Sequence, residues 1–482
     1  MTMKQPLTRA ETSAFTETSR HADVMAFIAA LAARKDPRLH VTDFGATPEG
    51  RRLPLLVLSQ HGHFTPEAAR AAKLPVVLVI CGIHAGEVEG KEGGLMLVRD
   101  ILDGAHGDVL ERITLVVLPL FNADGNDRID AANRKLDIAK LHGQLGPESG
   151  VGTRVNAAGV NLNRDYMRQD ASEMRLLQSR VCQPWNPHLT IDCHATNGSI
   201  HRFAMTYDVP HTIGSGRREP IDYMRERMMP AVSDAVQRKD GFDSFWYGNF
   251  MRDEGGQGTG WLTYTHHPRF GGNYRGLANR LDLLLEAYSY ISYEDRVRVT
   301  YAFVREALAY AAAHGREIVE LLDQCEMPPE EIAVRYRLEA FPGVEVEILT
   351  REPYALDGAP ISAFVPLRKL PRRPCRAKAV GVCGAATCRG ASRRAWTSRR
   401  TTDECANARC GGRHRERPGV IGRSRDPRIE RILVPRSRLP AHATGVAGWM
   451  GPGAHRTTAW RDCGLSVRGG QRRWIAGLRM DR

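Results

Sequence analysis

Three short apolar runs dominate the hydrophobic pattern of this chain. Pro75–Cys81 (PVVLVIC), Ile113–Leu118 (ITLVVL) and Leu189–Cys193 (LTIDC) are continuous rather than alternating. A run of this kind, without polar positions at every second residue, predicts a strand covered on both faces. Between and around them the period changes. Glu87–Asp103 carries Leu95, Val98 and Ile101 at helical spacing, and Val24–Ala33, Glu294–Ala313 and Arg316–Cys325 also read as helices, the last two split by Gly315. Leu53–Leu58 reads as a further strand after the turn at Gly50-Arg51-Arg52. Strands alternating with helices predict an α/β domain with a mixed, largely parallel sheet flanked by helices on both faces. In such a sheet the working site lies beyond the carboxyl ends of the strands. There is no internal repeat.

Composition changes this picture in one respect. The 482 residues hold 68 Lys+Arg and 55 Asp+Glu, a net charge of +13, which on its face suggests a nucleic-acid binder. The charge is not spread evenly. Residues 371–482 contain 25 Arg, one Lys and seven acidic residues, net +19, so residues 1–370 are net −6. That tail also holds six of the ten Cys and four of the seven Trp, but no Phe or Tyr. Cys383/Cys388 and Cys405/Cys410 are too widely spaced for C-x2-C zinc pairs and have no His partners at ligand spacing. Excess Arg, Gly, Ala, Pro, Cys and Trp with almost no Lys or Asn is what a GC-rich gene yields in the wrong reading frame. The tail is therefore expected to be frameshifted or disordered, with only Ile429–Val434 strand-like. A basic nucleic-acid-binding tail is the competing reading.

No run of about 18 apolar residues occurs, so no membrane helix is expected. Met1–Thr18 is polar, with no apolar core segment, which predicts no secretory signal peptide and a cytoplasmic protein with reduced cysteines. A mis-assigned start codon would make a periplasmic location the alternative.

Four groups of residues could carry chemistry. His84-Ala85-Gly86-Glu87 follows the first buried strand directly. A His and a Glu three apart on a tight loop can face one cation, and Gly82 and Gly86 permit the turn. Asp192-Cys193-His194 ends the third strand, so His194 could complete a two-His, one-Glu set, and strand alternation turns Cys193 to the opposite face. Asn163-Arg164, in Asn161–Asp165, could fork onto a carboxylate in a way Lys cannot copy. Glu286 ends the apolar run Leu283–Leu285, where burial would raise its pKa and suit it to proton transfer. Each has a plainer reading: a helix-start Glu, a satisfied core His, a surface Arg, the polar side of an amphipathic helix.

Taken together and in this order, the residues resemble the zinc carboxypeptidase family (the M14 metallopeptidases): H-x-x-E, an N-R pair, a lone His, then a Glu near the domain's end. Asn122-Ala123-Asp124-Gly125 followed by Asn133-Arg134 is similar to the family's N-P-D-G segment and the arginine beyond it. The stretch Gly260–Leu281 with Glu286–Tyr290 is similar to a bacterial subgroup. The likeness covers about residues 5–370. It implies one zinc ion held by His84, Glu87 and His194, with Glu286 as general base and acid. It further implies Arg134 at the oxyanion, with Arg128 competing, and Asn163 and Arg164 on the substrate's carboxylate. Tyr274 would be a substrate-facing hydroxyl. The implied division is a catalytic domain at 1–325, a partial β-rich appendage at 326–370 beginning at Val344–Val365, and the tail at 371–482.

Two departures matter. Many relatives have an Asp two places before the N-R pair, supporting a zinc His; here it is Asn161, a weaker partner. Asp192 resembles instead the D-x-H of acyl-amino-acid deacylases in the same superfamily. The expected activity is hydrolysis of an amide next to a free carboxylate, on a peptide or on an N-acyl amino acid. An inactive product of a truncated core is the remaining alternative.

Overall fold

The computed structural model describes residues 5–252, 258–333, 338–349, 374–382 and 431–433. Its centre is an eight-stranded sheet. In chain order the strands are β1 (Leu39–Ala46), β2 (Arg52–Leu58), β3 (Val76–Cys81), β4 (Thr114–Leu118), β5 (Leu189–Thr196), β6 (Met205–Asp208) and β7 (Ser244–Trp246). Two short strands outside this sheet follow, β8 (Asn249–Arg252) and β9 (Gly258–Leu262), and then β10 (Leu281–Tyr288) returns to it. The spatial order is β1-β2-β4-β3-β5-β10-β6-β7. The four central strands β4, β3, β5 and β10 are parallel, while β2 and β6 join them antiparallel. The mixed, largely parallel sheet expected from the sequence is thus present.

The apolar runs became the buried strands for the reason their pattern implies. All six residues of β3 and all five of β4 are buried, as a strand covered on both faces must be. Helix α1 (His21–Ala32) packs near β1, and α2 (Glu89–Leu102) packs on β3 and β5. After α3 (Gly271–Leu277), the long α4 (Tyr293–Ala313) packs on α2 and on β10. Adjacent residues of β5 show that both faces are covered. Gly90 of α2 sits so close to Cys193 that a Cβ there would lie 2.4 Å from the Cys193 Cβ. Arg275 of α3 reaches Asp192, one residue earlier and therefore on the other face. Cys193 is core, as alternation predicted, and Cys81, Cys182, Cys193 and Cys325 are free.

Two expectations change. Leu283–Glu286, for which a helix face was the competing reading, is strand β10. The strand Leu189–Cys193 runs on to Thr196, so His194 lies within it. The remaining described strands are β11 (Glu331–Ala333), β12 (Leu338–Leu349), β13 (Pro374–Val382) and β14 (Arg431–Leu433). They form a sheet ordered β12-β13-β9-β8 and a pair β11-β14. The expected β-rich stretch Val344–Val365 is described only as far as Leu349, within β12. Apart from β13, which includes Cys375, and β14, the 371–482 tail and its other five cysteines lie outside the described residues. Among the described residues, no helix is long and apolar enough to cross a membrane.

Candidate active site

The carboxyl ends of β3, β5 and β10 open onto one cavity of about 860 Å³. Gly82, with φ +68, turns the chain sharply out of β3. Gly86 serves differently: a Cβ there would meet the Gly152 carbonyl at 2.9 Å, so only glycine lets these loops close. The turn delivers His84 and Glu87, both 3% exposed, against His194 of β5. The Nδ1 atoms of His84 and His194 are 3.2 Å apart, and Glu87 Oε2 is 3.2 Å from the first and 2.9 Å from the second. Among the described residues this is the cluster of His, Cys, Asp or Glu side chains whose donor atoms, all within 4.8 Å of one another, could hold a metal ion.

The outer nitrogen of each ring has polar partners of its own. His84 Nε2 lies 3.0 Å from Asn161 Oδ1, and that same oxygen accepts the Asn163 backbone N–H at 3.1 Å. The amide orientation is thereby fixed, Nε2 donates, and Nδ1 keeps its lone pair. His194 Nε2 lies 3.2 Å from Asp192 Oδ1 and 3.3 Å from Asn163 Nδ2, while its Nδ1 faces Glu87. Two imidazole Nδ1 donors and a carboxylate are a normal three-ligand set for catalytic zinc, so the residues fit that metal.

The electrostatics differ across the three ligands: burial disfavours charge on His194, but Asp192 and Glu87 outweigh it and hold the ring well above its ordinary value, so a metal must displace its proton. Burial, opposed by Glu87, drives His84 down to about 4, so the ring is neutral at neutral pH. Burial also disfavours charge on Glu87, but His84, His194 and Arg134 outweigh it and hold the carboxyl well below its ordinary value. Glu286 lines the same cavity. It pairs in register with His194 across the parallel strands β10 and β5, so both side chains leave the same face. Burial first, then the Glu87 charge, push its carboxyl up to about 7.

The arginines divide by how fully they are engaged. Arg134 donates to Gln144 Oε1 (2.6 Å), Glu87 Oε1 (3.0 Å), the Ala195 carbonyl (3.3 Å) and Ser289 Oγ (3.1 Å). Arg128 is elsewhere, paired with Glu49 at the surface. Arg154, which sequence reasoning passed over, also lines the cavity and touches Glu87 Oε1 at 2.8 Å, with 43% of its side chain exposed. Its only sequence signal was its place nine residues before Asn163 on the same loop. Asn163 accepts the Gly271 N–H and turns its Nδ2 toward His194, 3.3 Å from the ring. Arg164 lies 4.1 Å from the Phe270 ring centre and donates to the Asn163 carbonyl at 2.6 Å. Burial, then repulsion from Arg154 and Arg269, lower it to about 10.

Tyr274 does not face the cavity. It is buried 5.6 Å from the Tyr166 ring, with its hydroxyl 3.5 Å from Gln169 Nε2, because the turn of α3 that carries it points into the core. The tyrosines in the cavity wall are Tyr247 and Tyr264. Asp192 does more than mark a D-x-H motif. It joins a buried network in which Arg275 also pairs with Asp282 and donates to the Tyr166 hydroxyl at 2.8 Å.

Comparison with known proteins bears on this geometry. Residues 24–192 match the family Peptidase_M14, described as zinc carboxypeptidase. The match spans His84, Glu87 and the Asn163-Arg164 pair and ends two residues before His194. No curated protein matches the chain. Among solved structures, a metallo-carboxypeptidase from Burkholderia cenocepacia is 18% identical over 61% of this chain and 69% of its own, with a TM-score of 0.42. Carboxypeptidase A from Helicoverpa armigera is 14% identical over 63% and 75%, at 0.42. Bovine thrombin-activatable fibrinolysis inhibitor, in complex with a tick carboxypeptidase inhibitor, is 14% identical over 63% and 98%, at 0.44. The resemblance read from the sequence is borne out over residues 24–192, and with it the metallopeptidase class and zinc as the metal.

Proposed function

We propose that this chain, a zinc metallopeptidase of the zinc carboxypeptidase family over residues 24–192, removes C-terminal residues from peptides. The observation that carries the reading is the two-His, one-Glu cluster beside a glutamate of raised pKa in one cavity. Zinc, held by His84, Glu87 and His194, would polarise the scissile carbonyl and lower the pKa of a water to roughly 7. The chain's own residues supply the rest.

Glu286, in register with His194, takes a proton from the attacking water and returns it to the leaving amine. Arg154, bonded to Glu87 Oε1 but with a large part of its side chain open to the cavity, is the cation that meets the developing oxyanion. Arg134, tied by four acceptors, acts instead as the anchor that orients Glu87. Asn163 and Arg164 hold the substrate's terminal carboxylate. Hydrolysis of an N-acyl amino acid is the second reading, favoured by the Asp192–His194 pair. A panel of peptides with free C-termini, the same peptides amidated, and N-acyl amino acids tests the two. Release of C-terminal residues supports the first reading; turnover confined to N-acyl amino acids replaces it with the second.

A further inference from the structure

The cavity carries more positive charge than one terminal carboxylate needs. Arg154 is engaged with Glu87, and Arg164 stands beside Asn163. Arg269 is a further guanidinium in the same wall, exposed and without a carboxylate at ion-pair distance among the described residues. Its guanidinium carbon lies 5.3 Å from the centre of the Phe270 ring, and that of Arg164 lies 4.1 Å from the same centre. The two are therefore no further apart than these distances laid end to end, about 9 Å. Phe270 acts as a common platform holding both against their mutual repulsion.

The acidic residues in the wall do not cancel this charge. Asp282 is paired with Arg275, and Asp192 is shared between Arg275 and His194. Glu87 belongs to the metal cluster and Glu286 to proton transfer. A basic or apolar residue at the substrate's C-terminus would leave Arg269 unused. An acidic one places its two carboxylate carbons three bonds apart in aspartate and four in glutamate, a span that two guanidiniums within about 9 Å can clamp, each bonding outward from its own carboxylate.

We propose that Arg269 is a specificity residue, and that the leaving group is an amino acid with a side-chain carboxylate, held by Arg269 while Arg164 holds the α-carboxylate. The inference rests on the hydrolase reading above. The reaction itself is unchanged: water adds to the carbonyl carbon, the C–N bond breaks, and the proton taken by Glu286 goes to the amine of the released glutamate or aspartate.

The test compares kcat/KM on peptides identical except for a C-terminal Glu, Gln or Lys, for the wild-type enzyme and for Arg269→Gln and Arg269→Glu. The expected result is a wild-type preference for Glu over Gln of about tenfold or more. Arg269→Gln should erase most of that preference, and Arg269→Glu should move it toward Lys. Equal wild-type rates on Glu and Gln, or an undiminished preference in Arg269→Gln, would overturn the proposal. N-acyl-glutamate and N-acyl-glutamine form a parallel arm. If no peptide is cleaved but the N-acyl pair shows the Arg269-dependent preference, the peptidase reading fails and this inference stands.

Discussion

Glu286 and His194 are register partners on neighbouring parallel strands, so the proton-transfer group and a metal ligand are fixed to each other by backbone hydrogen bonds. Both positions belong to a sheet whose central strands are buried, which makes this the least deformable relationship in the site.

That rigidity separates chemistry from metal binding. Glu286→Gln is expected to keep its zinc while losing about 10³-fold in kcat. Zinc content by atomic emission, alongside turnover, checks both halves. A Gln variant with near wild-type turnover would remove Glu286 from the mechanism.

The same residue sets the acid limb of the pH profile. Its carboxyl is raised from the ordinary 4.5 to about 7 in the metal-free protein, and it must be ionised to accept a proton. Activity should therefore be lost as pH falls through its pKa. A dication nearby pulls that value down, so the limb of kcat/KM should fall between 4.5 and 7. A limb below that interval would assign it to another group.

His194→Ala is expected to remove a ligand and leave substoichiometric zinc after dialysis. Asp192 and Asn161 act one step out. Asn161→Asp places a carboxylate behind His84 where an amide now accepts, and should tighten zinc binding by about tenfold. Competition against a fluorescent chelator measures it; unchanged affinity would show that the amide already suffices.

Arg154 and Arg134 should separate kinetically. Arg154→Ala is expected to cost about 10²-fold in kcat with zinc retained. Arg134→Ala, which frees Glu87 Oε1 from one of its donors, should instead weaken zinc binding. The reverse pattern would return the oxyanion role to Arg134.

What was legible in the sequence were the residues whose position follows from a strand. His84, Glu87 and His194 sit at the ends of apolar runs, and parallel strands bring those ends together whatever the loops do. Glu286 was harder because LLLE fits a helix as well as a strand, and only pairing with β5 decides between them. Arg154 and Arg269 lie on loops, where no periodicity reports which way a side chain points. Tyr274 shows the converse: α3 turns its ring onto Tyr166, an orientation that sequence spacing alone could not fix. Strand β1, with alternating partial burial, and the short strands β6 and β7 at the far edge gave no continuous apolar signal and were found only in the structure.

The most direct measurement of the central claim is release of the C-terminal amino acid from a peptide before chelation, after chelation, and after return of zinc. The expected result is release that is lost with the metal, restored by one equivalent of zinc, and absent on the same peptide with an amidated C-terminus. Release that survives chelation, or proceeds equally on the amidated peptide, would contradict it.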